Sequence, residues 1–100
     1  MLFAIIAQDV ENILAARLGA RPAYVERLNL LDAQNRLTLA GPHPHATEEG
    51  FTGSLIVAGF SELASAQAWA AKDPYIAVGV YAEVTVKPFK NAFPTYRVNL

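Results

Sequence analysis

Leu2-Phe3-Ala4-Ile5-Ile6-Ala7 is six apolar residues in a row, bounded by Met1 on one side and by Gln8-Asp9 on the other. A run this short and this continuous reads as a β-strand covered on both faces, because a strand with one wet face would alternate apolar and polar residues. Leu55-Ile56-Val57-Ala58-Gly59-Phe60 has the same character. Two other stretches alternate instead. Leu37 and Leu39 are separated by Thr38, and Val80, Ala82, Val84 and Val86 alternate with Tyr81, Glu83, Thr85 and Lys87. Period-two alternation marks half-exposed strands, so the first and third strands are expected in the centre of a sheet and the second and fourth at its edges.

Between the strands the apolar spacing turns helical. Asp9 is placed to cap a segment in which Val10, Ile13, Leu14 and Leu18 recur until Gly19 interrupts them. Arg21-Pro22 then restarts a helix, with proline at a position whose N–H needs no partner. Val25, Leu28 and Leu31 supply its apolar stripe, and it is expected to end near Asn35. Gly41-Pro42 is read as the end of the second strand, and residues 42–53 as a polar loop. Ser61 or Glu62 opens an alanine-rich helix in which Trp69, at helical spacing with Ala66 and Leu63, is read as core. Asp73-Pro74 stops it, since the residue before a proline is pushed out of helical geometry. Pro88 is expected to halt the last strand, and Tyr96, Val98 and Leu100 read as a short tail strand within residues 93–100. The order β, broken α, β, β, α, β with central first and third strands is that of an α+β, ferredoxin-like βαββαβ fold built on a four-stranded antiparallel sheet. Helices cover one face of such a sheet. The apolar character of the other face points to a second copy of the chain, hence a homodimer.

Composition bounds the function. The chain has 100 residues, 53% of them hydrophobic and 17% charged, with no cysteine. It reads as one domain over residues 1–100. The missing cysteines exclude a disulfide scaffold, a thiolate metal site and a cysteine nucleophile. Eight Lys and Arg against nine Asp and Glu leave a net charge of -1, without the basic excess that binding to a phosphate backbone requires. The apolar start is too short for a signal sequence or a membrane span. The expected setting is the cytoplasm, with neither nucleic acid nor membrane as a partner.

Six segments in register, MLFAIIAQD, ARLGARPAY, LTLAGP, GFTGS, AQAWAAKDPY and GVYAEVTVKPFK, resemble the YciI (YCII-related) family over roughly residues 1–93. The resemblance implies a dimeric α/β barrel, and a cleft holding a histidine and an aspartate that perform acid/base chemistry of lyase or isomerase type on a small cyclic or aromatic metabolite. The aspartate corresponds to Asp73 in Asp-Pro-Tyr. The histidine position, which follows Arg-Pro-Ala, is Tyr24 here. Imidazole titrates near 6.5 and can act as a base at neutral pH, whereas a phenol titrating near 10 remains a donor. A non-catalytic ligand-binding dimer is the alternative.

Each candidate has a plainer reading beside the functional one. Asp73 either ends a helix or supplies a cleft carboxylate, and Tyr24 is either a core aromatic or a hydroxyl at the cleft edge. Arg21 is either a surface charge or the partner of an acidic ligand group. Gly50 to Ser54 is either a loop entering a strand or a backbone cradle for an anion, with Ser54 adding its hydroxyl. His43, in Gly-Pro-His-Pro-His-Ala, is either loop surface or a ligand contact. With His45, Glu48 and Glu49 it forms too short a cluster to make a metal site the expectation. No cofactor is expected.

Overall fold

The computed structural model describes residues 1–93, so the expected tail strand at Tyr96, Val98 and Leu100 lies outside the described residues. Four strands form one antiparallel sheet: β1 (Leu2–Asp9), β2 (Leu37–Pro44), β3 (Phe51–Gly59) and β4 (Tyr81–Phe89). Their order is β2-β3-β1-β4. The two continuously apolar strands are central and the two alternating strands are at the edges. The chain has the ferredoxin-like α+β fold, with helices α1 (Leu14–Ala33), α2 (Leu63–Ala71) and the single turn α3 (Pro74–Ala77).

Central pairing runs from Leu2↔Gly59 to Gln8↔Gly53 between β1 and β3, and from Leu2↔Phe89 to Asp9↔Tyr81 between β1 and β4. Alternation along these strands divides the two faces. Phe3, Ile5, Ile56 and Ala58 turn toward the helices and join Tyr24, Leu31, Phe60, Ala66, Ala70, Tyr75 and Val80 in one core. Ala4, Ile6, Leu55 and Val57 have the opposite parity. No helix of the described residues covers them, and Ile6 is 39% exposed.

Three expectations need correction, and each has a physical cause. The first helical region is not broken: α1 runs unbroken through Gly19 and Pro22. Both residues lie on its exposed side, where proline's missing N–H leaves only the carbonyl of half-exposed Leu18 without its helical partner. Tertiary packing of the other side carries the helix across. Pro42 does not end β2, and Pro88 does not halt β4. Both strands are sheet edges, where a residue without an N–H costs no ladder bond when that side faces solvent. The polar loop therefore shrinks to residues 45–50. Finally, Asp9 caps nothing. It is the last residue of β1, and α1 begins five residues later behind Ile13, after a turn in which Asn12 takes φ 57°.

The buried residues of α1 are Arg17, Tyr24 and Leu31, seven residues apart. Leu14 and Leu18, expected on the apolar stripe, are 37% and 53% exposed. A charged residue has taken the inward position.

Gly53 is where β3 passes closest to its neighbour: a Cβ there would run into the backbone carbonyl oxygen of Ala7. Gly53→Ala should therefore lower stability by at least ~2 kcal/mol, since backbone on both strands would have to move. Gly19→Ala meets nothing within 4 Å and should raise stability by about 0.5–1 kcal/mol. Urea denaturation of the two variants beside the parent checks both signs.

Candidate functional site

Arg17 organises the region between α1 and the sheet. It is 4% exposed, and its Nη1 donates to both oxygens of Asp9, at 2.8 and 2.7 Å. Its Nη2 donates to the Ser54 hydroxyl at 2.7 Å and to the Gly53 carbonyl at 3.3 Å. The guanidinium also lies 4.7 Å from the centre of the Tyr75 ring and 5.3 Å from that of Phe51, within cation–π range. Burial pushes the Asp9 carboxyl up, and the Arg17 charge with its two hydrogen bonds pulls it back.

Three tyrosines continue the arrangement. Tyr24 stacks on Tyr75 at 4.4 Å between ring centres, and Tyr81 meets Tyr75 edge-on at 5.5 Å. The Tyr24 and Tyr81 hydroxyls are buried and have no hydrogen-bond partner. Burial pushes all three phenols above their ordinary value of 10. At neutral pH they are donors.

Asp73 is 3% exposed and is the N-cap of α3, where its Oδ1 accepts from the Tyr75 N–H at 2.8 Å. Pro74 suits the first position of that turn. Burial raises the Asp73 carboxyl above its ordinary 3.8, against the Tyr75 N–H and the charges of Arg27 and Arg17. Arg27 itself donates to the Trp69 carbonyl at 2.7 Å and lies 4.1 Å from that ring's centre.

A pocket of about 250 Å³ opens beside this group, with Arg17, Arg21, Tyr24, Tyr75 and Phe51 on its wall and Val25, Leu28 and Pro42 as apolar lining. Of the expected site residues, Tyr24 and Arg21 line it. Asp73 acts electrostatically on the Tyr24 phenol without a hydrogen bond to it. Ser54 is not part of a loop cradle: it lies within β3, 1% exposed, behind Arg17. His43 is not brought to this pocket. It is exposed on β2 and lines a different hollow on the uncovered sheet face with Gln8, Glu83 and Thr85. Among the described residues, no group of three or more His, Asp or Glu is placed to hold a metal ion.

Sequence reading missed Asp9, Arg17, Tyr75 and Tyr81. A signal for Arg17 was present. Ile13, Arg17, Ala20, Tyr24 and Leu31 fall on one helical stripe, so a lone charge interrupts an apolar face and needs a buried counterion.

A family model described as the YCII-related domain matches residues 1–90. The chain belongs to the YCII-related family. Its relatives include Protein YciI of Escherichia coli O6:H1 and of Shigella flexneri, each 50% identical over 98 residues that cover 93% of this chain and all of the relative. An uncharacterised protein of Haemophilus influenzae is 49% identical with the same coverage. Among solved structures, the 5-chloro-2-hydroxyhydroquinone dehydrochlorinase TftG of Burkholderia phenoliruptrix AC1100, in complex with 2,5-dihydroxybenzoquinone, superposes with a TM-score of 0.81. It matches 90% of this chain and 94% of its own at 24% identity, a likeness of fold. This YCII-related chain thus carries Tyr24, a neutral phenol, where the resemblance places a histidine.

Asp73 has a consequence for stability. Because its carboxyl is raised, the folded chain holds a proton that the unfolded chain has lost in the range just above pH 3.8. Stability falls as pH rises through that range, and at neutral pH the full cost of the buried charge is present. Asp73→Asn keeps a good cap and removes the charge. The variant should be more stable than the parent at pH 7, by about 0.5–2 kcal/mol. The gap should close as the solution is acidified, which thermal denaturation at a series of pH values reads directly.

Proposed function

We propose that this protein binds a small cyclic or aromatic metabolite in the pocket beside Tyr24 and performs acid/base chemistry of lyase or isomerase type on it, as a cytoplasmic homodimer. The observation that carries the reading is the pocket itself, walled by Arg17, Arg21 and the stacked Tyr24 and Tyr75 rings, with the buried Asp73 carboxyl capping the turn that carries Tyr75. Perturbed carboxyls beside a pocket are candidates for proton transfer. In this reading Asp73 accepts or returns the proton, Tyr24 donates a hydrogen bond to the ring ligand, and exposed Arg21 meets an acidic substituent at the mouth. The ring class is supported by the fold-mate TftG, whose name gives a chlorinated hydroxyhydroquinone as its substrate. A second reading, a binding module without turnover, is favoured by one feature: Tyr24 cannot abstract a proton at neutral pH.

The two readings part on restoring imidazole. With 5-chloro-2-hydroxyhydroquinone as the trial substrate, Tyr24→His should raise turnover above the parent by a factor within the 10²–10⁴ that a positioned acid/base group typically contributes, roughly. Adding Asp73→Asn should abolish the gain. A parent that turns the compound over quickly and slows on Tyr24→His would make the phenol the working group. Binding of 2,5-dihydroxybenzoquinone, seen as a thermal shift, with no turnover in either form would support the module.

The dimer rests on the uncovered sheet face, where Ile6 and Leu39 are 39% and 48% exposed beside Ala4 and Val57. Ala4 and Val57 are already 7% and 2% exposed in the single chain, so exposed Ile6 and Leu39 are the apolar side chains that a second copy would cover. Light scattering at micromolar concentration should give twice the monomer mass, and a folded monomer would remove the dimer from the reading.

A further inference from the structure

Among the described residues, two guanidiniums and no carboxylate line the pocket beside Tyr24. Arg17 and Arg21 stand one turn apart on α1, a spacing at which like charges repel across the helix face. Only one of them is answered. Asp9 pairs with Arg17 at 2.7 Å, whereas exposed Arg21 has no ion pair among the described residues. The Arg21 charge nevertheless reaches inward. Burial raises the Tyr75 phenol, and Arg17 and Arg21 both pull it back, against Asp73 and Asp9. Arg17 also has a donor to spare. A guanidinium carries five N–H hydrogens, and Nη1 and Nη2 spend theirs on Asp9, Ser54 and Gly53. The fifth, on Nε, has no partner among the described residues, and it is not one of the enclosed unpartnered atoms. An unused charged donor on a side chain only 4% exposed, in the wall of a pocket, asks for a partner from outside the fold.

We propose that this pocket selects ring compounds bearing one carboxylate, with the carboxylate held between the Arg21 guanidinium and the Arg17 Nε–H and the ring lying against Tyr75, Val25 and Leu28. This names the substrate class for the pocket of the preceding reading, and rests on that reading. Charge sets the number of anionic groups. Asp9 already offsets Arg17, so a single negative charge on the ligand offsets Arg21 and leaves the wall neutral. Geometry sets their kind. A carboxylate presents two oxygens, which suit one guanidinium fork and one further N–H. The two arginines contribute differently. Arg17 is locked by four hydrogen bonds and gives up no freedom when it donates, whereas Arg21 must be ordered from the surface. Size sets the rest. An apolar cavity of about 150 Å³ takes up benzene, so the pocket of about 250 Å³ holds one ring with its substituent.

The probe is benzoate, with benzamide as an uncharged ring of the same shape and acetate as the carboxylate without a ring. Titrations at pH 7 followed by NMR should give benzoate the tighter binding over either control by roughly tenfold or more, as expected when a hydrogen bond to a charged group joins ring burial. Added salt should weaken benzoate and leave benzamide as it was. Arg21→Gln should bring benzoate down to the level of benzamide and change benzamide much less. Arg21→Lys, which keeps the charge and loses the fork, should fall between. Because Arg21 is exposed and repelled by Arg17, thermal unfolding of Arg21→Gln should be no lower than the parent's. Arg17 is read without replacing it, since its loss would strand Asp9: its Nε–H resonance should move on adding benzoate and stay in place on adding benzamide. A stationary resonance at saturating benzoate would overturn the placing of the carboxylate. Equal affinities for benzoate and benzamide, or an Arg21→Gln that binds benzoate like the parent, would overturn the carboxylate subsite and leave the ring pocket standing. Acetate binding as tightly as benzoate, or no binding of either ring, would remove the ring pocket and the subsite together.

Discussion

The buried ion pair between Arg17 and Asp9 is the constraint on which the rest of this structure hangs. It joins α1 to the end of β1, and through Ser54 and the Gly53 carbonyl it joins both to β3. Taking two charges out of water is expensive, and an ion pair repays it only when nearly every donor is used. Here four hydrogen bonds and two aromatic faces surround one guanidinium. Losing either partner would strand a charge in the core, at a cost of about 3–5 kcal/mol. The helix is thus fixed in rotation about its axis. That rotation sends Tyr24, two turns further on, into the sheet side, while Leu14 and Leu18 turn outward.

The same rotation assembles the tyrosines. Tyr75 lies under Arg17 and beside Tyr24, and it owes its place to α3, a turn started by Asp73 and Pro74. Asp73 caps that turn, which is the plainer reading of Asp-Pro-Tyr, and its charge bears on the Tyr24 phenol without a hydrogen bond to it. The residue that departs from the family resemblance, Tyr24, fits this setting because a stacked neutral ring tolerates burial that a protonated imidazole would not.

The parts of the fold legible in the sequence were those decided by apolar patterning alone. Residues 2–7 and 55–60 announced themselves as central strands because nothing polar interrupts them. The continuity of α1 was not legible, since Gly19 and Pro22 carry strong local signals that only tertiary packing overrides. Strand ends at Pro42 and Pro88 were misjudged for a related reason: whether a proline breaks a strand depends on which side its nitrogen faces, and edge or centre is a property of the sheet. In the candidate site, Tyr24, Arg21 and Asp73 were reached through the resemblance. Arg17 and Tyr81 were not, because a charge within a helix and a tyrosine in an alternating strand look ordinary until their burial is known.

The edge prolines have one more implication. A sheet of four strands exposes two rows of backbone donors and acceptors, each a template on which a foreign strand could add. β2 carries Pro42 and Pro44 and β4 carries Pro88, so both margins are interrupted where such growth would begin. Lateral extension into fibrils or swapped ribbons is discouraged on both sides, in a protein whose sheet leaves apolar side chains uncovered on one broad face. The borders of the sheet are thus guarded against strand addition by residues that its open face does not carry.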